Sequence, residues 1–370
     1  MKVLPDQRYD CLQCGRSCQG WAVEVDPGTR GRLRDSPIEL RVLQETGLTA
    51  TLLPGDGRKV LMARREGACV YLDEKNLCRI HGEMGPGAKP LGCRQFPFLP
   101  VETPEGVSLG LSFYCTAVQQ NYGRPLEEQS DELSALLQRL APRRVGFEPL
   151  WLDEGVPLEW PEYLRLEAFL LEGLSGPDPA ETPLAASLWG ACQPGLQLDL
   201  ARAALFDTAQ ELWDIRFMCL AILVASQEAP DPDSITAMAE DLKHDRPVTF
   251  ARLGWSGRRS TIDAEFADLP EWVEQEIRRY LRALVFRKFL ALDRPVLQNL
   301  VCLFMLPALL RCFTLVSRLS HGGELVREDY FRALSLVEKD LTHTRQGAEG
   351  TWASFARLYR ETIALVARYV

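Results

Sequence analysis

Seven of the eleven cysteines lie between positions 11 and 115, in less than a third of the 370-residue chain. They open with a Cys-x2-Cys-x3-Cys run and are Cys11, Cys14, Cys18, Cys69, Cys78, Cys93 and Cys115. Thiolates are soft, charged ligands for zinc and iron–sulfur clusters, and two of them two residues apart on a tight turn reach one ion without strain. Gly15 suits such a turn because glycine tolerates a positive φ. The spacing therefore predicts metal ligation by these residues.

His81 follows Cys78 by three residues, so it is either an eighth ligand or a hydrogen-bonding residue of a turn. Seven thiols and one histidine suffice for a single iron–sulfur cluster, most simply [4Fe–4S], or for two tetrahedral zinc sites. A radical S-adenosylmethionine enzyme normally spaces its first three cysteines by three residues and then two, which is the reverse order. The structural alternative for every cysteine is a small buried apolar side chain.

The cysteine-rich segment resembles the YkgJ-type cysteine-cluster family, a zinc- or iron-chelating domain. The matching stretches are Cys69-Val-Tyr-Leu72, Cys78-Arg-Ile-His81, Lys89-Pro90 and Cys93-Arg-Gln-Phe-Pro-Phe98. The resemblance covers about residues 8 to 118 and implies that the cysteines and His81 hold the metal.

The start of this segment is also similar to the flagellin lysine-N-methylase family, through the run Gly20-Trp-Ala-Val-Glu-Val-Asp26. Both families carry a doubled cysteine where this chain has Cys18-Gln19. The second resemblance implies an enzyme that moves a methyl group from S-adenosylmethionine to a protein lysine. No glycine loop typical of nucleotide binding supports it, and no catalytic residue is identified.

The net charge of −9 belongs to the later part of the chain, since residues 1–120 carry 15 basic and 14 acidic side chains and the rest carry 27 and 37. An acidic chain without a basic run is a poor ligand for nucleic acid. The N-terminus has no apolar stretch of signal-peptide length, and clustered cysteines favour a reducing compartment. These features predict a cytoplasmic protein.

The longest apolar run, Leu300 to Leu310, is shorter than the roughly 20 residues that span a bilayer. It predicts a buried helix, with no membrane partner. A length prior of about 150 residues per domain predicts two domains. We place a cysteine-cluster domain at 1–120 and an all-α domain at 121–370, which makes the fold α+β.

Local patterns in the first domain predict strands at 23–25, 60–62 and 107–111. Ser36-Pro-Ile-Glu39 combines an N-cap serine with a proline at the first helical position, which predicts a helix that ends near Gly47. Residues 69–104 are rich in glycine and proline and poor in periodic apolar positions. We expect bound metal to order them, because metal-binding free energy becomes folding free energy.

Helical periodicity dominates the second domain. The predicted helices cover 133–140, 162–173, 198–226, 263–292, 296–319, 327–342 and 352–369. The remaining cysteines lie among large apolar residues, and we interpret them as core: Cys192, Cys219, Cys302 and Cys312.

Together these patterns predict a metal-binding protein whose helical domain binds a protein partner or substrate. The alternative is the lysine methylase, and enzymatic activity is left open.

Overall fold

The computed structural model describes residues 1–19, 23–34, 36–48, 51–52, 60–138, 140, 142–203, 232–265, 269–292 and 294–339. They form two compact units. The first takes Met1–Val101 with Gly106–Arg143, and the second takes Glu102–Glu105 with the described residues from Arg144 onward. The prediction that two independently folding domains meet after residue 120 stays a prediction.

The described part of the first unit is built on short strands. They are β1 Lys2–Val3, β2 Thr51–Leu52, β3 Val60–Leu61, β4 Arg64–Arg65, β5 Ala68–Cys69, β6 Phe98–Thr103, β7 Gly106–Leu111 and β8 Arg143–Arg144. One sheet has the order β1-β7-β6-β8, in which β1 runs parallel to β7 with Lys2 opposite Ser108. The pairs β2–β3 and β4–β5 are antiparallel. The predicted strands at 60–62 and 107–111 are therefore present as β3 and β7.

Six short helices accompany these strands. They are α1 Pro27–Arg34, α2 Pro37–Thr46, α3 Arg79–Met84, α4 Leu91–Gln95, α5 Thr116–Gln119 and α6 Ser130–Leu137. The helix predicted from Ser36 is confirmed as α2. The Ser36 hydroxyl accepts the Glu39 N–H at 3.2 Å, and Gly47 closes the helix at φ 70°. The Glu39 carboxylate accepts a hydrogen bond from the buried Tyr71 hydroxyl, so it does not close a capping box.

A small apolar core holds the cysteine-bearing segments in place. α1, α2, β3 and α3 contribute Leu33, Ile38, Val42, Val60 and Ile80 to it, and Cys69 and Cys78 pack against its edge. The segment 23–25, predicted as a strand, hydrogen-bonds to β3 through Val25 N–H and Val60 O at 2.7 Å and through a bridge at Glu24. It is a pair of bridging contacts and not a full strand.

The described part of the second unit is mainly helical. Its helices are α7 Trp160–Gly173, α8 Glu181–Ala191, α9 Pro232–Lys243, α10 Arg259–Glu265, α11 Glu271–Phe286, α12 Val296–His321 and α13 Arg327–Val337. It also contains two antiparallel hairpins, formed by β9 Leu150–Asp153 with β10 Val156–Leu158 and by β11 Val248–Phe250 with β12 Trp255–Gly257. The helical character is as predicted, but the hairpins correct the prediction of an all-α second part.

Two helices of this unit are present close to their predicted bounds. The helices predicted at 162–173 and 296–319 are α7 and α12. The stretch 263–292 holds the end of α10, then α11 and a 3₁₀ turn at Phe289–Ala291, and Pro270 caps the start of α11. Of the helix predicted at 198–226, the described beginning is a short 3₁₀ turn at Leu200–Ala203, and residues 204–226 lie outside the described residues, as does 352–369.

α12 is long and apolar enough, by length and composition, to cross a membrane. The mean hydropathy of its most apolar window is 2.1, and 94% of that window is buried inside the fold. The core helix of a soluble protein passes the same test, so the finding agrees with the predicted buried helix. Cys302 and Cys312 on α12 are buried and Cys192 is half-buried, as predicted for core cysteines, whereas Cys219 lies outside the described residues.

Candidate metal centre

The first three cysteines lie on a segment that we call the knuckle, residues 11–19, which ends in a 3₁₀ turn, Arg16–Gln19. Gln13 has φ 53° and Gly15 has φ 62°, both in the left-handed region. The Gln13 N–H donates to the Cys11 sulfur at 3.4 Å. Such N–H···S contacts favour the thiolate form that a metal needs. The predicted turn at Gly15 is therefore present.

The early end of the knuckle is tied to the segment after Cys115. We call residues 8–10 together with 122–125 the N-terminal strap. Tyr9 N–H donates to Arg124 O at 3.0 Å, and Asp10 N–H donates to Tyr122 O at 3.0 Å. The Arg124 guanidinium pairs with the Asp10 carboxylate at 3.0 Å. The strap brings Cys11 to the part of the unit that carries Cys115.

The late end of the knuckle docks elsewhere, on the turn that follows β5. A Cβ atom on Gly15 would lie 2.4 Å from the Asn76 carbonyl oxygen, so this close approach requires glycine. The Gln19 amide donates to Asn76 Oδ1 at 3.3 Å, and Arg64 donates to Gln19 O at 2.7 Å. The last residues of the knuckle, Arg16–Gln19, form a 3₁₀ turn that contains Cys18 and packs on β5. Gln19, which replaces the second cysteine of the doubled pair, thus anchors the knuckle.

Three further cysteines lie near enough to Cys18 for their charges to act on it or to be affected by it. Cys69 is on β5 opposite Arg64, and Cys78 precedes α3 and bridges Leu72. Cys93 lies in α4, whose first N–H, that of Leu91, donates to the Asp26 carboxylate at 3.3 Å. Asp26 also caps α1 through the Thr29 N–H at 2.9 Å.

The charges of the seven thiols act on one another in two overlapping groups. We call the first group the four-thiol set. In it, the charge of each thiol acts on each of the others, and its members are Cys18, Cys69, Cys78 and Cys93. Burial first, and then the charges of neighbouring thiols, raise the pKa of Cys69 and Cys93 to about 12. Lys89 opposes the rise in pKa at Cys18 and Cys93, and Arg64 does so at Cys69. A cation bound among the four sulfurs would stabilise their thiolate forms against both burial and mutual repulsion.

The second group is the three-thiol set: Cys11, Cys14 and Cys115. Burial raises the pKa of Cys115 to about 11, and the charges of Cys11 and Cys14 act in the same direction. The backbone N–H groups of Val118 and Ala117 lower it. Tyr9 lies beside this set, where burial and then the charges of Cys115 and Cys11 raise the pKa of its hydroxyl well above the ordinary value. Cys18 also interacts with Cys14 and Cys11, so the two sets adjoin.

Among the described residues, no three Cys, His, Asp or Glu side chains stand in positions from which they hold a metal ion together. The donor chemistry fits zinc or iron, because seven thiols lie in one small unit. The cysteine side chains would have to turn so that their sulfurs surround the ion. The His81 imidazole is exposed on α3, and no hydrogen bond from it is seen within the described part of the chain. Its role as an eighth ligand stays a prediction.

Some residues that build this site carried no usable signal in the sequence. Asn76 accepts a hydrogen bond through its side-chain Oδ1, and the Arg64 guanidinium donates to the Gln19 carbonyl oxygen, and spacing reveals neither contact. Asp26 precedes a proline and reads as a simple turn, yet it joins α1 to the helix of Cys93. Arg94, next to Cys93, is half-buried, and its Nε has no hydrogen-bond partner in the described structure.

Comparison with known proteins supports the cysteine-cluster interpretation. Residues 10–120 match the family model "CxxCxxCC: Putative zinc- or iron-chelating domain". A segment of 136 residues is 29% identical to an uncharacterized protein of Methanocaldococcus jannaschii and covers 36% of this chain and 44% of that protein. The chain thus spans less than half the length of this curated relative. No solved structure matches the chain. The family match does not extend to a lysine methylase, which stays a prediction.

Proposed function

We propose that the first unit is a metal-binding module in which Cys18, Cys69, Cys78 and Cys93 hold one zinc ion or one iron–sulfur cluster. The observation that carries the proposal is that these four thiols, on the knuckle, β5, the start of α3 and α4, lie near enough for their charges to act on one another, with the turn of Cys18 packed on β5. Four thiolates are the ligand set of structural zinc sites and of cubane clusters. The match of residues 10–120 to a zinc- or iron-chelating family points the same way.

Closure of the site requires the four sulfurs to turn toward one ion. A cysteine side chain has a single torsion, χ1, and a change of rotamer redirects its sulfur while the backbone stays in place. The backbone around the four-thiol set is tied by Gly15, Gln19 and Arg64 to the turn at Asn76. Lys89 and Arg64 offset part of the negative charge that four thiolates bring to one ion.

The bound metal would order the unit and, if it is an iron–sulfur cluster, would also carry an electron. The apolar core that residues 69–97 join through Val70, Tyr71, Ile80 and Ala88 is small, so we expect metal loss to loosen this stretch. All ten cysteines of the described structure have free thiols. That state is compatible with the reducing, cytoplasmic location that we propose. Binding of a protein partner or substrate by the helical unit is part of the same proposal.

Metal content of the full chain, purified without oxygen, tests the proposal. We expect at least one zinc per chain in a colourless protein, or iron with labile sulfide in a brown one. Cys69→Ser and Cys93→Ser should lose that metal, because a protonated hydroxyl replaces a soft thiolate. Cys192→Ser, a half-buried cysteine of the second unit, is the matched control and should retain it. A metal-free wild-type protein, or metal that survives both Cys69→Ser and Cys93→Ser, would remove the proposal.

A further inference from the structure

The β9–β10 hairpin of the second unit turns one of its faces toward the interior of that unit. Successive side chains of a strand point to opposite faces, and residues opposite each other in an antiparallel pair share a face. Leu150 lies opposite Leu158, which is 2% exposed, so these two leucines mark the inner face. Leu152 is half-buried, as expected two residues after Leu150. β9 packs on α12, so the leucines hold the hairpin against the helices.

The outer face of the same hairpin is apolar as well. Trp151 lies opposite Pro157, and a shift of register between Val156 and Pro157 places Val156 opposite Asp153. Trp151 is 51% exposed, Val156 is 46% exposed, and Pro157 is exposed too. The solvent side of an antiparallel pair is ordinarily polar. We call Trp151, Val156 and Pro157 the hairpin face, and adjoining exposed apolar side chains of this kind mark interaction surfaces.

Carboxylates stand at both ends of the hairpin face. Residues 145–164 include five acidic residues and no lysine, arginine or histidine. Glu148 precedes β9, whereas Asp153 and Glu154 lie at the turn between the strands. In the described part of the chain, none of these three carboxylates forms an ion pair. The apolar surface is therefore flanked by negative charge that its own neighbours leave uncompensated.

The arginines on either side of this acidic stretch have other partners. The Arg144 guanidinium pairs with the Glu102 carboxylate at 3.3 Å and lies over the Phe147 ring, 4.3 Å from its centroid. Arg165 lies 3.9 Å from the Glu162 carboxylate, one turn earlier on α7. Cations that complement Glu148 and the turn must come from a binding partner.

We propose that the hairpin face binds a segment of a partner protein that is apolar at its centre and carries arginine or lysine at its ends. The apolar centre packs on Trp151, a residue type that is enriched among the dominant contacts of interfaces. The basic ends meet Glu148 and Glu154, and a cation there also interacts favourably with the indole ring. The segment lies across the face, because Pro157 has no N–H with which to pair an added strand. The inference deepens the partner-binding part of the proposed function and rests on it.

Binding of a synthetic peptide to the full chain as purified tests this surface. The probe is a fluorescein-labelled peptide with leucines at its centre and arginines at both ends. One control peptide has glutamates in place of the arginines, and another has serines in place of the leucines. By fluorescence anisotropy we expect the probe to bind with an affinity that falls as salt rises, and both control peptides to bind at least about tenfold more weakly.

Variants of exposed residues place the binding on the hairpin. Trp151→Ser should weaken probe binding about tenfold, and Glu154→Gln about two- to fivefold. Leu200→Ser and Glu328→Gln remove an exposed apolar side chain and an exposed carboxylate elsewhere in the same unit, and both should bind like the wild type. The probe should also protect residues 150–158 from hydrogen–deuterium exchange.

The possible outcomes separate this inference from the proposed function. Absence of probe binding in the wild type would overturn the inference, while the metal content of the same sample judges the metal-binding module independently. Equal binding by Trp151→Ser, with protection elsewhere in the helical unit, would overturn the hairpin face and leave partner binding by that unit standing. Self-association of the chain that Trp151→Ser abolishes would show a second copy on the face and would also overturn the inference. Should Trp151→Ser fail to fold by circular dichroism, Glu154→Gln decides, because Glu154 is exposed in the turn.

Discussion

Replacement of Gly15 by alanine tests whether docking of the knuckle on Asn76 positions Cys18. Two costs follow from the structure. A left-handed φ of 62° costs an ordinary L-residue about 1–2 kcal/mol. The new Cβ would lie 2.4 Å from Asn76 O, well inside ordinary contact, and relief of such overpacking costs about 1–3 kcal/mol. We therefore expect the free energy of local unfolding to fall by about 2–5 kcal/mol.

The matched control is Gly47→Ala, at the end of α2. Gly47 has a similar φ of 70°, but no atom lies within 4 Å of its added Cβ. It should lose about 1–2 kcal/mol from backbone strain alone. Hydrogen–deuterium exchange of residues 69–78 gives the local free energy, and metal content gives the effect on the site. We expect faster exchange and metal loss in Gly15→Ala alone. Equal exchange in the two variants, with metal retained in both, would refute the docking argument.

Three further expectations concern other parts of the molecule. Burial raises the pKa of the Asp26 carboxyl, but hydrogen bonds from Thr29 and Leu91 outweigh burial and leave this pKa below its ordinary value. The stabilisation that they provide is present above the unfolded pKa and is lost as the pH falls through the folded pKa. The urea midpoints of wild type and Asp26→Asn should therefore converge in acid, and midpoints that stay equally far apart at every pH would contradict this. Arg311 pairs with Glu181 and Glu274, and all three side chains are largely buried. Arg311→Met should lower the free energy of unfolding in urea by about 3–5 kcal/mol, against at most about 1 kcal/mol for Lys243→Met, whose ion pair is exposed. Equal losses in the two variants would contradict the buried character of the Arg311 ion pairs. If the methylase alternative holds, S-adenosylmethionine at a hundredfold excess over its dissociation constant should stabilise the metal-loaded protein by about 2.7 kcal/mol, and the absence of any melting shift would remove that alternative.

The parts of the fold that sequence predicts are those with local signals. The α2 helix follows from Ser36 at its start and Gly47 at its end, and β7 follows from alternation over residues 107–111. α8 has no such signal, because nine of its eleven residues are buried and a helix that is apolar all round has no period. The hairpins of the second unit are too short for alternation to be visible.

The candidate ligand residues follow from residue type and spacing, but their proposed grouping does not. Spacing favours Cys11, Cys14 and Cys18 as one unit, whereas Gly15 and Gln19 turn Cys18 toward Cys69. That division depends on contacts between residues more than fifty positions apart. Sequence spacing carries no information about them.

The most direct test of the central claim is X-ray absorption at the edge of the bound metal in the anaerobically purified full chain. The account predicts a first shell of sulfur at about 2.3 Å, with about three to four sulfurs per metal. Cys69→Ser should reduce the metal that gives this signal, and Cys192→Ser should leave it unchanged. A first shell made mainly of nitrogen or oxygen at about 2.0–2.2 Å would contradict the account, because the four-thiol set would then not be the ligand set.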